Sequence, residues 1–172
     1  PTTKDGLAKL KPVLPEGSVT FGAQTHPADG NAGMIITTKD RAEQLSKDKS
    51  IPVQVLGFGQ CRVGKGMMPT APVPAAQQAM NSAGVALKDI KAIKSHNPFA
   101  VNDVYFAKQT GKKLEEFNNY GSPLIFGHPQ GPTGMRVIIE LIEELAINGG
   151  GHGLFTGCAA GDTAMACVIK VG

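Results

Sequence analysis

The segment Leu124–Gly134, of sequence LIFGHPQGPTG, connects a short apolar run to the most regular helical pattern in the chain. Its first three residues are typical of a strand. From Gly131 to Gly149, apolar residues recur at i and i+4, which predicts a helix, and the glutamates of this stretch fall outside the apolar positions. Because glycine permits unusual backbone angles and proline fixes the direction of the chain, we expect the segment to hold His128 rigidly where the helix begins.

Strand and helix patterns alternate on both sides of this segment. Apolar or alternating runs predict five strands, over residues 32–38, 51–57, 91–95, 152–158 and 164–171. Helical patterns cover three further stretches, 41–46, 73–82 and 101–111. Between Gly57 and Pro74 the composition changes to Gly, Met and Pro, which predicts a linker or a domain seam. Strands that alternate with helices and end in a hairpin predict a layered α/β fold.

The composition narrows the class of protein. A chain of 172 residues with 41% hydrophobic and 18% charged residues is typical of a globular protein of about one domain. Its net charge of +3 and the absence of a basic run argue against a nucleic-acid partner. No apolar run is long enough for a membrane span, and the first residues lack the apolar stretch of a signal peptide, which favours a cytoplasmic protein.

Three residues that follow or end predicted strands could carry acid–base or nucleophilic chemistry. A neutral His128 at a helix N-terminus could be a general base, although a histidine that only caps a turn would look the same. Cys158 ends an apolar strand and could be a nucleophile or a base, or a buried inert thiol. His96 could donate a hydrogen bond to an oxyanion or only satisfy a loop. The scattered histidines and cysteines predict no metal site.

Three segments rich in Gly, His, Asn and Cys occur in a fixed order: His96–Ala100 (HNPFA), Asn118–Gly134 (NNYGSPLIFGHPQGPTG) and Cys158–Asp162 (CAAGD). They resemble the C-terminal part of thiolases, in which an N/H-E-A-F-A box is followed by an N-x-x-G-G-x-x-x-x-G-H-P-x-G-x-[ST]-G block and a C-x-G-G-G turn. Upstream, Gly22–Gly30 (GAQTHPADG) is similar to the family's G-N-A-S-G-x-N-D-G segment. The resemblance therefore extends over nearly the whole chain.

The resemblance implies a layered α/β/α thiolase-like fold, of which this chain is the C-terminal half, with a mixed sheet and a buried central helix. It implies three parts. Residues 1–17 would be the tail of a loop region, residues 18–62 the closing strands and helix of the N-terminal half, and residues 63–172 the C-terminal domain.

The resemblance also implies an activity, that of an acyl-CoA C-acyltransferase. The reaction would be thiolysis of a 3-ketoacyl-CoA or the reverse Claisen condensation, through a cysteine thioester. By position, His128 would activate the acyl-accepting cysteine. Cys158 would move the proton on the α-carbon of the second acyl-CoA or on the incoming CoA thiol, and His96 would help to hold a thioester oxygen.

The substrate of such an enzyme would be a CoA thioester, with no permanently bound cofactor. Thr25 falls where the family has a serine near the CoA pantetheine. The backbone N–H of Ala160 would contribute to a second oxyanion pocket, and the change from Gly to Ala is mild there. Phe99 completes the candidate CoA contacts, although its pattern alone favours packing.

Some positions depart from the family pattern. Asn97 stands at the usual Glu, Ala23 at the usual Asn and Ser122 at the second Gly. The nucleophilic cysteine of thiolases belongs to the N-terminal half, and none of the cysteines here, at 61, 158 and 167, stands in its context. These departures indicate a divergent branch and an incomplete catalytic set.

We therefore expect this chain to work with an N-terminal half, either a separate subunit or a cleaved segment, in a homo- or hetero-oligomer. Strands whose sheet partners lie in another polypeptide would otherwise leave unpaired edges. A non-catalytic binding or scaffolding subunit is the alternative hypothesis. A ketoacyl-synthase relative that decarboxylates its donor is a third, which Cys158 disfavours because such enzymes present two histidines.

Overall fold

The computed structural model describes residues 2–172. In these residues, the regular elements follow one another in the order α1 (Lys4–Ala8), α2 (Lys39–Leu45), β1 (Val53–Arg62), α3 (Pro72–Ala83), β2 (Ile90–His96), α4 (Ala100–Thr110), α5 (Pro123–Phe126), α6 (Thr133–Ile147), β3 (Gly151–Ala159) and β4 (Thr163–Val171). Short 3₁₀ turns lie between them, at Phe21–Ala23, Met68–Thr70, Leu87–Asp89 and Leu114–Glu116.

The four strands form one mixed sheet in the order β1-β4-β3-β2. β4 pairs antiparallel with β1 on one side and with β3 on the other, and β3 continues into β4 as a hairpin. β2 and β3 are parallel, and the connection between them contains α4, α5 and α6. The mixed sheet and the C-terminal hairpin confirm the sequence prediction.

Helices cover both faces of the sheet, so the molecule has the predicted α/β/α layers. Alternate residues of β4 belong to two different apolar clusters, because successive side chains of a strand point to opposite faces. Ala164, Ala166 and Val168 pack on the side of α3, whereas Ile169 and Val171 pack on the side of α6. On the α3 side the layers lie very close: a Cβ at Gly59 would come within 2.3 Å of the Ala75 carbonyl oxygen.

Helix α6 contributes an apolar face to the sheet, as its periodicity predicts, but one glutamate lies on that face too. Glu144 is buried and forms an ion pair with the buried Lys94 of β2, with 2.9 Å between Nζ and Oε2. The side-chain amide of Asn119 donates to the other carboxylate oxygen of Glu144 at 2.8 Å. The prediction that all glutamates lie off the apolar face is therefore wrong for Glu144, since a lysine on the facing strand neutralises it.

Residues 32–38, predicted to form a buried strand, have no regular secondary structure. Ile35 and Ile36 in this stretch are 78% and 77% exposed. More generally, no residue from 2 to 52 is buried. A strand requires a neighbouring strand for its backbone hydrogen bonds, and the sheet formed by the described residues consists of β1 to β4 only. The prediction of a strand at this place is wrong for the chain on its own.

Two further local predictions need correction. Residues 124–126 read as a strand but form the short helix α5, which Pro123 begins in its first turn, a position that proline favours. The predicted linker between Gly57 and Pro74 is in part the second half of β1, because the glycines there allow close packing of α3 rather than a break. The proposed division at residue 62 stays a prediction, although β1 pairs with β4 along its length.

Within residues 2–172, no helix has the length and apolar character that crossing a membrane would require.

The ion pair between Lys94 and Glu144 gives a stability prediction. Lys94→Met or Glu144→Leu alone leaves one charge buried without its partner, so we expect each to lower the free energy of unfolding by about 3–5 kcal/mol. The double variant leaves no buried charge at this place and should be less destabilised than either single variant. Urea denaturation of the four proteins measures this cycle. Single variants within 1 kcal/mol of the original protein would contradict the role assigned to the pair.

Candidate active site

The carboxyl ends of the two parallel strands meet at one edge of the sheet, where α6 begins. His96 is the last residue of β2, and it pairs with Gly157 of β3, next to Cys158. His128 lies in the loop between α5 and α6. In α/β sheets, ligands bind outside the carboxyl ends of parallel strands. The three candidate catalytic residues therefore lie at the edge of the sheet where such a site is expected.

The loop that carries His128 is held by a second segment from the N-terminal part of the chain. The backbone N–H of His128 donates to the carbonyl of His26 at 2.8 Å, and Pro27 forms a parallel bridge with His128. Gly127 has a φ of +87°, and a Cβ there would come within 2.6 Å of the Cβ of Ala28. The glycine before the histidine is thus required by both its backbone angle and the close approach.

His96 and His128 lie side by side, with 4.5 Å between their ring centroids. Nδ1 of His128 is 2.8 Å from the hydroxyl of Thr133, the first residue of α6. Nδ1 of His96 is 3.1 Å from the carbonyl oxygen of Cys158. Each ring is therefore oriented by one hydrogen bond through Nδ1, which leaves Nε2 for other contacts.

The hydrogen bond of His96 fixes which of its nitrogens carries the proton. A carbonyl oxygen only accepts, so Nδ1 must donate, and Nε2 of the neutral ring is an acceptor. Nε2 is buried, and it has no hydrogen-bond partner among the described residues. Burial first, and then the neighbouring His128, lower the pKa of His96 to about 4. The ring is neutral at neutral pH, so Nε2 can receive a proton there but cannot donate one.

Burial also lowers the pKa of His128 from its usual value. We expected a low pKa from the dipole of the following helix, but α6 begins only at Thr133 and desolvation is the cause. The pKa of His128 is therefore shifted in the expected direction, but the cause of the shift is burial and not the helix dipole. A neutral His128 is suited to accept a proton at neutral pH.

Cys158 is buried, and its sulfur accepts a hydrogen bond from the side-chain amide of Asn102 in α4, at 3.4 Å. Burial raises the pKa of the thiol, and the contact with Asn102 opposes this shift. The side chain is therefore a protonated thiol at neutral pH, which favours an acid–base role over that of a preformed thiolate nucleophile.

A cleft of about 250 Å³ opens beside His128, and neither His96 nor Cys158 lines it. Of the predicted site residues, His128, Thr25 and Phe99 line it, together with Gln24, His26, Pro27, Pro98 and Gln130. The hydroxyl of Thr25 donates to the carbonyl of Pro123 at 2.5 Å, so its proton is already committed within the protein. Ala160 lies apart from the cleft, exposed in the turn after β3.

Sequence reasoning missed two residues that contact the candidate catalytic groups. Thr133 orients His128, and its signal was present as the Ser/Thr position of the Gly-His-Pro block. Asn102 contacts Cys158 from the first turn of α4, and nothing in the sequence pattern separates it from a solvent-facing helical residue. In the part of the chain that the structure describes, no three His, Cys, Asp or Glu residues are grouped as metal ligands.

A family model described as "Thiolase, C-terminal domain" matches residues 50–171. The acetyl-CoA acetyltransferase of Syntrophomonas wolfei is 30% identical over 172 residues, covering 98% of this chain and 43% of that protein. The 3-ketoacyl-CoA thiolase of Alteromonas mediterranea is 32% identical over 185 residues, covering 96% and 42%.

Solved structures are similar over the same extent. The acetyl-CoA acetyltransferase of Bacillus anthracis matches with a TM-score of 0.89 at 28% identity, covering 98% of this chain and 43% of that one. Human mitochondrial 3-ketoacyl-CoA thiolase in complex with CoA matches with a TM-score of 0.87 at 27% identity, covering 99% and 43%. The chain thus spans less than half the length of the relatives that it matches. It belongs to the thiolase family and corresponds to its C-terminal part.

Proposed function

We propose that this chain is the C-terminal part of an acyl-CoA C-acyltransferase that cleaves 3-ketoacyl-CoA by thiolysis, or forms it by Claisen condensation. The observation that carries the proposal is the pair of imidazoles at the edge of the sheet where the two parallel strands end: the rings of His96 and His128 lie 4.5 Å apart, and the backbone of Cys158, near the end of β3, is bonded to His96. The names of the relatives support the substrate class. The nucleophilic cysteine comes from an N-terminal half of the thiolase fold, since the chain spans only 43% of the Syntrophomonas wolfei relative.

His128 takes the proton of the nucleophilic cysteine. Its ring is neutral because burial lowers its pKa, and Thr133 holds it in one orientation. The thiolate then adds to the 3-keto carbon, and the bond between C2 and C3 breaks. The acyl group remains on the cysteine as a thioester, and the departing CoA ester is left as an enolate.

Cys158 supplies the proton that the enolate takes at C2. A thiol whose pKa is raised by burial is protonated at neutral pH, as this step requires. The resulting Cys158 thiolate recovers a proton from the incoming CoA thiol. The CoA thiolate attacks the acyl-cysteine thioester, and the leaving cysteine regains its proton from His128, which restores the starting state.

His96 is the residue that we assign to a thioester oxygen. With Nδ1 bonded to the carbonyl of Cys158, the ring can donate from Nε2 only after it is protonated. Charge on the oxygen develops beside the ring during the addition step and favours the protonated form; the ring takes this proton from solvent water and returns it when the carbonyl forms again. Thr25 and Phe99 bind the CoA portion from the wall of the cleft, and the backbone of Ala160 is the donor that we assign to the second oxyanion.

The exposed apolar residues of the first 52 positions support the need for an N-terminal half. Ile35 and Ile36 lie in the segment that reads as a strand and are almost fully exposed. Exposed apolar stretches of this kind mark surfaces that another element covers. Burying each of these isoleucine side chains would stabilise the assembly by about 1.5–3 kcal/mol. A neighbouring strand from the N-terminal half gives this segment both a backbone partner and an apolar environment.

Replacement of His128 tests the proposal. In the complete assembly, His128→Ala removes the base for the nucleophilic cysteine, so we expect kcat for thiolysis of a 3-ketoacyl-CoA to fall at least about 100-fold. His152→Ala is the matched control, because His152 lies at the opposite end of β3 from Cys158. Unchanged turnover by His128→Ala would refute the proposal and favour a scaffolding subunit. The rate is followed by loss of the substrate's absorbance.

The low pKa of His128 gives a pH prediction. The base must be unprotonated, and a pKa below the usual 6.5 keeps it so at more acidic pH. We expect the midpoint of the decrease in kcat/KM at acidic pH to lie below pH 6.5. A pH series at constant ionic strength measures this limb. Half-maximal kcat/KM at a pH above 6.5 would contradict the assignment.

The role of His96 can be tested by two substitutions. Asparagine donates from its amide at any pH, so we expect His96→Asn to retain most of kcat. Alanine removes the donor, and His96→Ala should lose about 100-fold or more in kcat. Both proteins are compared by steady-state kinetics in the complete assembly. Full activity of His96→Ala would show that no oxygen of the substrate depends on this side chain.

A further inference from the structure

Asp103 of α4 lies behind His96 and takes no part in the chemistry proposed above. Its carboxylate accepts three side-chain hydrogen bonds. The hydroxyl of Ser95 donates to Oδ1, the amide of Asn97 donates to Oδ2 at 2.5 Å, and the amide of Asn118 donates to Oδ2 at 3.3 Å. Both carboxylate oxygens are therefore bonded to protein donors, in a place where Asp103 does not line the cleft.

Ser95 and Asn97 are the residues on either side of His96. Oδ1 of Asp103 accepts from Ser95 and Oδ2 accepts from Asn97, so the backbone that carries His96 is held on both sides. Asn118 closes the network, because its side chain also accepts from the backbone N–H of Ser95 at 2.9 Å and donates to the Ser95 hydroxyl at 3.0 Å. Both neighbours of His96 are themselves buried.

Burial raises the pKa of Asp103, and its three hydrogen bonds oppose that shift. A buried carboxylate is costly unless all of its acceptor positions are used, and apolar residues in its place would cost less. The arrangement therefore gives geometric definition at the end of β2 rather than stability. What it defines is the backbone on which His96 is placed against the Cys158 carbonyl and His128.

Position 97, where the chain departs from the family pattern, also contacts the Asp103 carboxylate. In the family pattern this position holds a glutamate, whereas the chain has Asn97, whose side chain is directed at the carboxylate of Asp103. Oδ2 of Asp103, which Asn97 contacts, also accepts from Asn118, so a carboxylate on the side chain at 97 would belong to the same network. The carboxylate is therefore present at this place, but it comes from six residues later in the chain.

We propose that Asp103 is a positioning residue for His96, and that a carboxylate supplied from position 97 can take its place. The kinetic part of this inference rests on the proposed function. The structural part, that Asp103 holds the His96 ring in place, does not.

Reciprocal substitutions test the inference. Asp103→Ala removes the carboxylate and should lower kcat about 10- to 100-fold, with KM nearly unchanged, because displacement of a catalytic group by about 1 Å has effects of this size. Asn97→Glu alone places two carboxylates together and should also lower kcat. The double variant N97E/D103A has one carboxylate again and should recover kcat to within about 5-fold of the original. If each single substitution lowered kcat only by destabilising the fold, the double variant would not recover kcat.

Two further variants keep the test decisive. Asp103→Asn can still accept from Asn97 and Asn118 and can donate to Ser95, so it should fall between the original protein and Asp103→Ala. It serves where Asp103→Ala fails to fold. Glu140→Gln, which removes a half-buried carboxylate paired with Arg136 on α6, is the matched control and should leave kcat unchanged. If N97E/D103A has a kcat no higher than that of the less active single variant, a carboxylate at 97 does not take the place of Asp103, and the inference is overturned.

A measurement that does not require turnover separates this inference from the proposed function. In the complete assembly with ¹⁵N-labelled histidine, the Nδ1–H signal of His96 should be protected from exchange by its bond to the Cys158 carbonyl. We expect Asp103→Ala to lose that protection and N97E/D103A to regain it. An unchanged signal in Asp103→Ala would overturn the inference. Restored protection in an assembly without thiolase activity would uphold it and refute the proposed function alone.

Discussion

The parallel pairing of β2 with β3 is the constraint on which the site depends. It places His96 beside Gly157 and brings the ends of both strands to the edge where the loop before α6 carries His128. A Cβ at Gly157 would come within 2.9 Å of the His96 Cβ, so the absence of a side chain there is what allows the imidazole to reach the Cys158 carbonyl. A shift of one residue between these strands would turn His96 to the other face of the sheet.

Burial at this edge sets the protonation state of each group and also has a cost. The pKa of His96 is about 4 in the folded protein and 6.5 without burial, so the unfolded chain binds a proton that the folded chain does not. Stability is therefore complete above pH 6.5 and decreases as the pH falls toward 4, by about 3 kcal/mol in total. The same desolvation keeps His128 unprotonated and the Cys158 thiol protonated. Desolvation therefore lowers the stability of the folded protein in acid, and it also keeps both groups in these protonation states at neutral pH.

The sequence predicted those parts of the fold that depend on local pattern. The helical period of α6, the terminal hairpin and the Gly-His-Pro loop are all properties of contiguous residues. Contacts between distant residues could not be predicted in this way. Glu144 lies within the apolar face because Lys94 is opposite it, and Asn102 contacts Cys158, which is 56 positions away. The strand prediction for residues 32–38 was wrong for a different reason. A strand pattern shows where apolar residues lie along the chain, but not whether a partner strand exists in the same chain.

The distribution of apolar surface fits a division of the chemistry between two halves. Helix α6 packs on β2 and β3, whereas Val55 and Phe58 of β1 and Met165 of β4, on the same side of the sheet, are more than half exposed. In the proposed assembly, the N-terminal half covers this part of the sheet and brings its cysteine to the edge where His128 lies. The groups that move protons would then be fixed by the sheet of one half and the nucleophile by the other half. The alignment of nucleophile and base would depend on the packing of the two halves, and a loosened interface would lower kcat before it unfolded either half.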